Sequence, residues 1–240
     1  MAEFNIVPAS TIRLPFVQAI DWFAEKTAIP VDTIDRVIDE ENQFAFYVTG
    51  LTKAEYLATV KEALTKALTD GETFDDFANS ISDISSIQGW SSYRQFIIWQ
   101  TNINQAYRQG RYEKLTSPSV WNQTVGLQWI HGNTRIPRPH HLALNGRIFP
   151  RDTASFSGEA YPPCGFGCQC RVFPVFVGEA DLSMMEDITE DYYADSAGNR
   201  YRWDAIADPG FGYIPNTGNR QESLDAIRNR LPDELKSQVP

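Results

Sequence analysis

The sequence predicts an α+β protein with a mainly helical N-terminal half, a small turn-rich β module that contains a Cys/His cluster, and a mostly irregular C-terminal tail. Apolar residues recur at helical spacing through the first half. Beyond it, short β-type runs alternate with Gly, Pro and Asn. All three cysteines lie in PPCGFGCQCR, residues 162–171. We therefore expect a helical region at 1–118, the β module at 119–177 and an acidic extended tail at 178–240.

Two helical segments open the chain. Residues 14–26 place apolar side chains on one face of a helix, and residues 31–41 carry a shorter apolar stripe. The two sets are Phe16, Val17, Ile20, Phe23 and Ala24, followed by Ile34, Val37 and Ile38.

Three further helices have recognisable start or stop signals. Thr52 begins a capping-box pattern, Thr-Lys-Ala-Glu, and the helix that it opens meets a stop at Gly71. Thr73 begins the next helix. Residues 92–109 form the last, which we expect to end at Gly110.

The second half is predicted from short runs and turn residues. Residues 124–130, 147–149 and 171–176 have the composition of strands. Residues 208–218 indicate an irregular loop, and residues 222–231 a short terminal helix.

Composition excludes several classes of protein. No apolar run approaches the length of a membrane span. The opening residues, MAEFNIVPAS, lack a secretion signal, so we expect the chain to stay in the compartment where it is made. An odd number of clustered cysteines is unsuited to a disulfide framework in such a compartment.

Charge is distributed unevenly along the chain. The net charge is −10, yet residues 91–175 hold nine basic and only three acidic residues. Such asymmetry indicates either a face for an anionic partner or basic residues that pair with acids within the fold. Arg135, Arg138 and Arg147 are the candidate contacts to a partner or to DNA, although arginines in such loops more often pair internally.

The cysteine cluster predicts a structural zinc site. Tetrahedral Zn²⁺ takes four ligands, commonly thiolate and imidazole. Cys164, Cys168 and Cys170 provide three, and His141 is the candidate for the fourth. We expect the metal to stabilise a module with little apolar core of its own. The alternative is three reduced thiols that only pack.

Catalytic signals are weak. A catalytic histidine needs an orienting carboxylate, and Glu159 is the only acid near the candidate ligands. Phosphate-binding glycine loops and a redox C-x-x-C motif are absent from the sequence. We therefore expect no enzymatic activity.

Several motifs occur together in one order. They are T-N-x-x-x-A-Y-x-x-G-R at 101–111, R-P-x-H-x-x-L-x-G at 138–146 and P-P-x-G-x-x-C-x-C-R at 162–171. With LPFVQAIDWFAEKTAIP before them and DPGFGYIPNTG after them, the chain resembles the phage Mu F-like minor head proteins, also called head-morphogenesis proteins. Asn133 replaces that family's usual aspartate, and the longer spacing leaves His140 as an alternative ligand to His141.

The resemblance implies a structural minor capsid protein of a tailed phage. Such proteins are associated with the portal and contribute to head assembly and to genome packaging or delivery. The implied partners are the portal protein, other head proteins and packaged DNA, with no membrane. The implied location is the virion, and the host cytoplasm during assembly. Two alternatives stay open: a metal-dependent nuclease or toxin-like effector, and a DNA-binding module.

Overall fold

The structure is a computed structural model that describes residues 16–33, 36–37, 39–132, 134, 136–151, 161–179, 185, 192–215 and 217–238. The helices are α1 (Val17–Glu25), α2 (Ala54–Asp70), α3 (Phe74–Ser80), α4 (Ser82–Ile87), α5 (Ser92–Thr116), α6 (Pro118–Trp121), α7 (Pro139–Leu142), α8 (Arg220–Arg230) and α9 (Asp233–Lys236). The strands are β1 (Thr27–Ala28), β2 (Ala45–Phe46), β3 (Thr124–Ile130), β4 (Ile148–Pro150), β5 (Arg171–Phe176), β6 (Tyr192–Ala194) and β7 (Arg200–Arg202). The predicted α+β class, with helices concentrated in the first half, is confirmed.

The helical half packs α1, α2 and α3 around α5. Its core includes Leu57, Val60 and Leu64 of α2, which the apolar spacing predicted. Gly71 ends α2 at φ 69°, as expected. The capping box predicted at Thr52 is wrong, because Lys53 precedes the helix and no side chain caps it. A capping box occurs instead at the start of α3.

That capping box joins Thr73 and Asp76. The Thr73 hydroxyl accepts a hydrogen bond from the Asp76 backbone N–H, and the Asp76 carboxylate accepts one from the Thr73 backbone N–H at 3.0 Å. The Thr73 hydroxyl, which lies 2.7 Å from the Asp76 carboxylate, and then the Thr73 backbone N–H hold the pKa of Asp76 below its ordinary value. The predicted start at Thr73 is therefore confirmed, although the segment forms two short helices.

The inward face of α1 differs from the prediction. Ala19 and Phe23 are fully buried, whereas Val17 and Ala24 are exposed. The buried face follows the crossing of α1 over α5, which apolar spacing alone does not specify. In the next segment Val37 is buried as expected, but the regular element is a 3₁₀ helix at Asp39–Gln43; Ile34 and Ile38 lie outside the described residues.

The predicted end of α5 at Gly110 is wrong. The helix continues to Thr116, and Gly110 is buried where α1 crosses it. A β carbon at Gly110 would lie 2.7 Å from Cζ of Phe16 and 3.2 Å from the backbone nitrogen of Ala19. The glycine therefore allows two helices to approach closely and does not terminate one.

The predicted strands form a three-stranded antiparallel sheet in the order β4-β3-β5. The sheet has an apolar core, which corrects the expectation that the module has little core of its own. Its buried members are Leu115, Leu127, Trp129, Leu144, Phe149, Tyr161, Cys164, Cys168, Cys170, Val172, Tyr193 and Ile206. Tyr193 and Ile206 come from the tail, so the tail completes this core.

The described residues of the tail form the β6–β7 hairpin, a 3₁₀ turn at Trp203–Ala205, and helices α8 and α9, joined by irregular segments. The predicted irregular loop at 208–218 and the terminal helix are confirmed, the helix as Arg220–Arg230. Within the loop, Phe211 and Tyr213 are buried.

A buried arginine joins the loop to α5. Arg108 is only 1% exposed and donates hydrogen bonds to the carbonyl of Tyr213 at 2.7 Å and to that of Phe211 at 3.4 Å. Its guanidinium lies over the Tyr213 ring, 4.1 Å from the centroid.

The C-terminal helices return to the N-terminal half. Ile227 and Leu231 pack in one cluster with Ile29 and Val31. In the described ranges, every helix is too short or too polar to span a bilayer.

Candidate metal centre

Three of the four predicted ligands meet at one buried point. The ligand atoms of His141, Cys168 and Cys170 all lie within 4.8 Å of one another. Nδ1 of His141 is 3.7 Å from Sγ of Cys168 and 3.8 Å from Sγ of Cys170. A tetrahedral zinc ion would separate such nitrogen and sulfur atoms by about 3.6 Å, given ordinary bond lengths. The donor set and its spacing therefore fit Zn²⁺.

The ring of His141 is fixed in the orientation that a ligand requires. Its Nε2 donates a hydrogen bond to the carbonyl of Ile206 at 2.9 Å, because a carbonyl can only accept. This bond leaves Nδ1 unprotonated and facing the two sulfurs. The buried Trp129 ring packs edge-on against the imidazole, with centroids 5.7 Å apart.

The two thiols have opposite acidities. The hydrogen bond from Cys170, and then the contacts with His141, hold the pKa of Cys168 well below its ordinary value despite burial. The same hydrogen bond, together with burial, raises the pKa of the Cys170 thiol. Cys168 is therefore the more acidic of the two thiols, and metal binding would displace thiol protons from the site.

The other candidate ligands are placed differently. Cys164 is fully buried, but its sulfur is not among the three atoms grouped with one another. Burial, followed by the neighbouring Cys168 charge, raises the pKa of Cys164. His140 packs against the ring of His141 and lies beside Tyr201, and it is not grouped with the two sulfurs. In the structure it is His141 that lies with Cys168 and Cys170.

The loop that carries the cysteines is held to the tail by Arg138. Its guanidinium bonds to the carboxylate of Asp208 at 2.7 Å and to the carbonyl of Phe166 at 3.2 Å. The backbone N–H of Asp208 donates to the carbonyl of Cys164 at 2.9 Å. Arg138 thus has partners inside the fold.

Of the remaining predicted residues, only Arg147 lies in the described part of the chain. Arg147 donates to the carbonyl of Ala194. Arg135 and Glu159 lie outside the described residues.

Sequence reasoning missed Gly132. A β carbon there would lie 2.2 Å from the carbonyl oxygen of Gln169, the residue between two of the ligands. The backbone N–H of Gly132 also bonds to the sulfur of Cys170. A glycine two residues after the predicted strand at 124–130 and next to His131 was the available signal, since such glycines mark close backbone approach.

We expect Gly132→Ala to displace the cysteine loop. The substitution should destabilise the fold by about 2 kcal/mol, because the added methyl meets backbone rather than a flexible side chain. It should also reduce the zinc content of the purified protein. Gly110→Ala is the matched control, because its added methyl is also crowded, by Phe16 and Ala19, but not by the cysteine loop. It should destabilise the fold and leave the zinc content unchanged. Elemental analysis and thermal melting of both variants test this, and equal zinc content in the two would contradict it.

Comparison with known proteins adds to this geometry. The family described as phage Mu protein F like protein matches residues 58–173, which extend from α2 through β5. The chain is 26% identical over 193 residues to the putative capsid assembly protein F of Escherichia phage Mu, covering 72% of this chain and 43% of that protein. It is 29% identical over 147 residues to the Mu-like prophage FluMu F protein of Haemophilus influenzae, covering 53% of this chain and 34% of that protein.

The chain spans less than half the length of either relative. No solved structure matches it. The matched segment contains the T-N-x-x-x-A-Y-x-x-G-R helix and all three grouped ligands. Residues 58–173 are therefore similar to the phage Mu F-like family, which confirms the resemblance that the sequence motifs indicated.

Proposed function

We propose that this chain is a structural head-morphogenesis protein of a tailed phage, built into the head beside the portal. The observation that carries the proposal is the family match over 58–173, which coincides with α5, the sheet and the buried ligand cluster. The name of the phage Mu relative, a putative capsid assembly protein, supports the same role. The chain would then act in the virion after assembly in the host cytoplasm.

The centre would have a stabilising role. His141, Cys168 and Cys170 would hold Zn²⁺, with Cys164 as the proposed fourth ligand, and the metal would cross-link the loop before β5 to α7. The three grouped residues are each at most 6% exposed. A buried ligand set gives a substrate no access to the metal, whereas a catalytic zinc keeps an open position.

The same burial argues against the nuclease or toxin-like alternative. Within the described ranges, the metal-binding group contains no carboxylate that would serve as a general base. We therefore propose that the chain catalyses nothing. Portal association, genome packaging and genome delivery are parts of the proposal that rest on the resemblance to the family.

Incorporation into heads tests this function. In cells that express the phage head genes, we expect the tagged chain to sediment with heads and to co-purify with the portal protein. Cys168→Ser/Cys170→Ser should lower the amount of the chain in heads, because loss of the metal destabilises the fold that contacts other head proteins.

A second measurement separates the enzyme alternative. Purified protein is incubated with duplex DNA and added Mg²⁺ or Zn²⁺, with His141→Ala as the control. We expect no cleavage by either protein. Cleavage that His141→Ala abolishes, or heads that never contain the chain, would contradict the proposal.

A further inference from the structure

Most of the basic residues in the positively charged segment 91–175 have partners inside the fold. Arg94 donates to the carbonyl of Thr49 at 2.6 Å, and Arg151 donates to the carbonyl of Thr124 at 3.0 Å. Arg108, Arg138 and Arg147 form the internal bonds described above. The segment's excess charge is therefore largely structural.

Three other cations of that segment face solvent without such bonds in the part of the chain that the structure describes. Arg111, Lys114 and Arg171 are exposed, and none of them forms an ion pair or side-chain hydrogen bond with another described residue. Arg111 has only a cation–π contact, 5.8 Å from the centroid of the Tyr107 ring. In a chain with a net charge of −10, three such neighbouring cations are an unusual concentration of uncompensated positive charge.

The three cations surround one concavity. It has a volume of about 410 Å³ and lies between the C-terminal half of α5 and strand β5. Partial burial, followed by the charge of Arg171, lowers the pKa of Arg111. The two arginines are therefore close enough for their charges to repel, and an anion between them would relieve that repulsion.

The wall of the concavity is apolar. Its remaining lining residues are Leu115, Val120, Tyr161, Val172, Phe173, Pro174 and Phe176. Phe173 is 49% exposed although it is a large aromatic side chain. Strand β5 is also an edge strand of the sheet, and such edges accept extended segments of other chains.

From this arrangement we infer that Arg111, Lys114, Arg171 and Phe173 form a docking surface for an extended, acidic segment of another polypeptide that also carries apolar side chains. Carboxylates would meet the cations, and apolar side chains would cover Phe173 and enter the concavity. Duplex DNA fits less well, because it offers phosphates but no apolar side chains for the wall, and the chain's net negative charge repels it. Assigning the segment to a head protein rests on the proposed function; the surface itself does not.

The test measures fluorescence anisotropy of a labelled short peptide that alternates glutamate with valine and phenylalanine. We expect it to bind the full chain, and Arg111→Gln/Lys114→Gln/Arg171→Gln to weaken binding about tenfold or more. Phe173→Ser should also weaken it. The matched control removes three charges elsewhere, as Lys53→Gln/Lys66→Gln/Lys236→Gln, and should change affinity less than about twofold.

Charge reversal keeps the test decisive if the glutamine variant is less stable. Arg111→Glu/Arg171→Glu should lose the acidic peptide and bind its counterpart with lysine in place of glutamate. The inference is overturned if wild-type protein does not bind the acidic peptide, if the two triple variants bind it equally, or if a short duplex DNA is the probe whose binding depends on these cations. Because the isolated chain is used, these results are independent of incorporation into heads.

Discussion

Cys168→Ser/Cys170→Ser is expected to reduce the zinc content of the purified chain from about one ion to none and to lower its Tm by about 10 °C or more. The two sulfurs and Nδ1 of His141 are grouped within 4.8 Å, so the double substitution removes two of the three ligands at once. Structural zinc contributes its binding free energy to folding. Because the module also has a buried apolar core, we expect a destabilised fold and not an unfolded chain.

Two controls separate loss of metal from loss of packing. Wild-type protein that has been stripped of metal by a chelator should melt at about the temperature of the double variant. Cys164→Ser tests the proposed fourth ligand. The substitution should weaken zinc binding, because it removes the sulfur that would complete the tetrahedron. Unchanged zinc content and an unchanged Tm in the double variant would show that these thiols only pack.

Arg108→Met is expected to destabilise the protein by about 3 kcal/mol, which is a decrease in Tm of roughly 6–12 °C for a chain of this size. The methionine fills much of the volume, but it leaves the carbonyls of Phe211 and Tyr213 without their donor. The loop around Tyr213 should therefore detach from α5 more often. Chymotrypsin should then cleave near these aromatic residues at temperatures where it spares the wild-type protein.

Arg94→Met is the matched control for that substitution. Arg94 lies on the same helix and also donates to a backbone carbonyl, but it is exposed, so its loss should cost at most about 1 kcal/mol. Arg108→Lys should recover part of the stability, because an ammonium can reach one carbonyl but not both with the same geometry. An Arg108→Met protein as stable and as protease-resistant as the control would refute this account of the loop.

Local signals in the sequence predicted the elements better than their arrangement. Apolar spacing located α2, and Gly71 located its end. The predicted helix end at Gly110 is wrong because glycine occurs both at helix ends and where two helices cross closely. Only the path of α1 shows that Gly110 lies at a crossing.

The candidate site was predicted in part for a similar reason. Cysteine and histidine side chains are common zinc ligands, so His141, Cys168 and Cys170 could be proposed from the sequence. The carbonyl of Ile206, which orients the imidazole, could not, because any residue can provide a carbonyl there. The three unpaired cations became visible only when the structure showed which of the nine basic residues are satisfied internally.

The packing of α8 on the residues that follow β1 affects when this part of the chain can fold. Ile29 and Val31 are covered by Ile227 and Leu231, which the ribosome adds almost two hundred residues later. Until those residues emerge, a nascent chain leaves Ile29 and Val31 partly uncovered. Synthesis of α8 and Leu231 is thus the step that conceals this apolar surface, and products that stop before it remain exposed to chaperones and proteases.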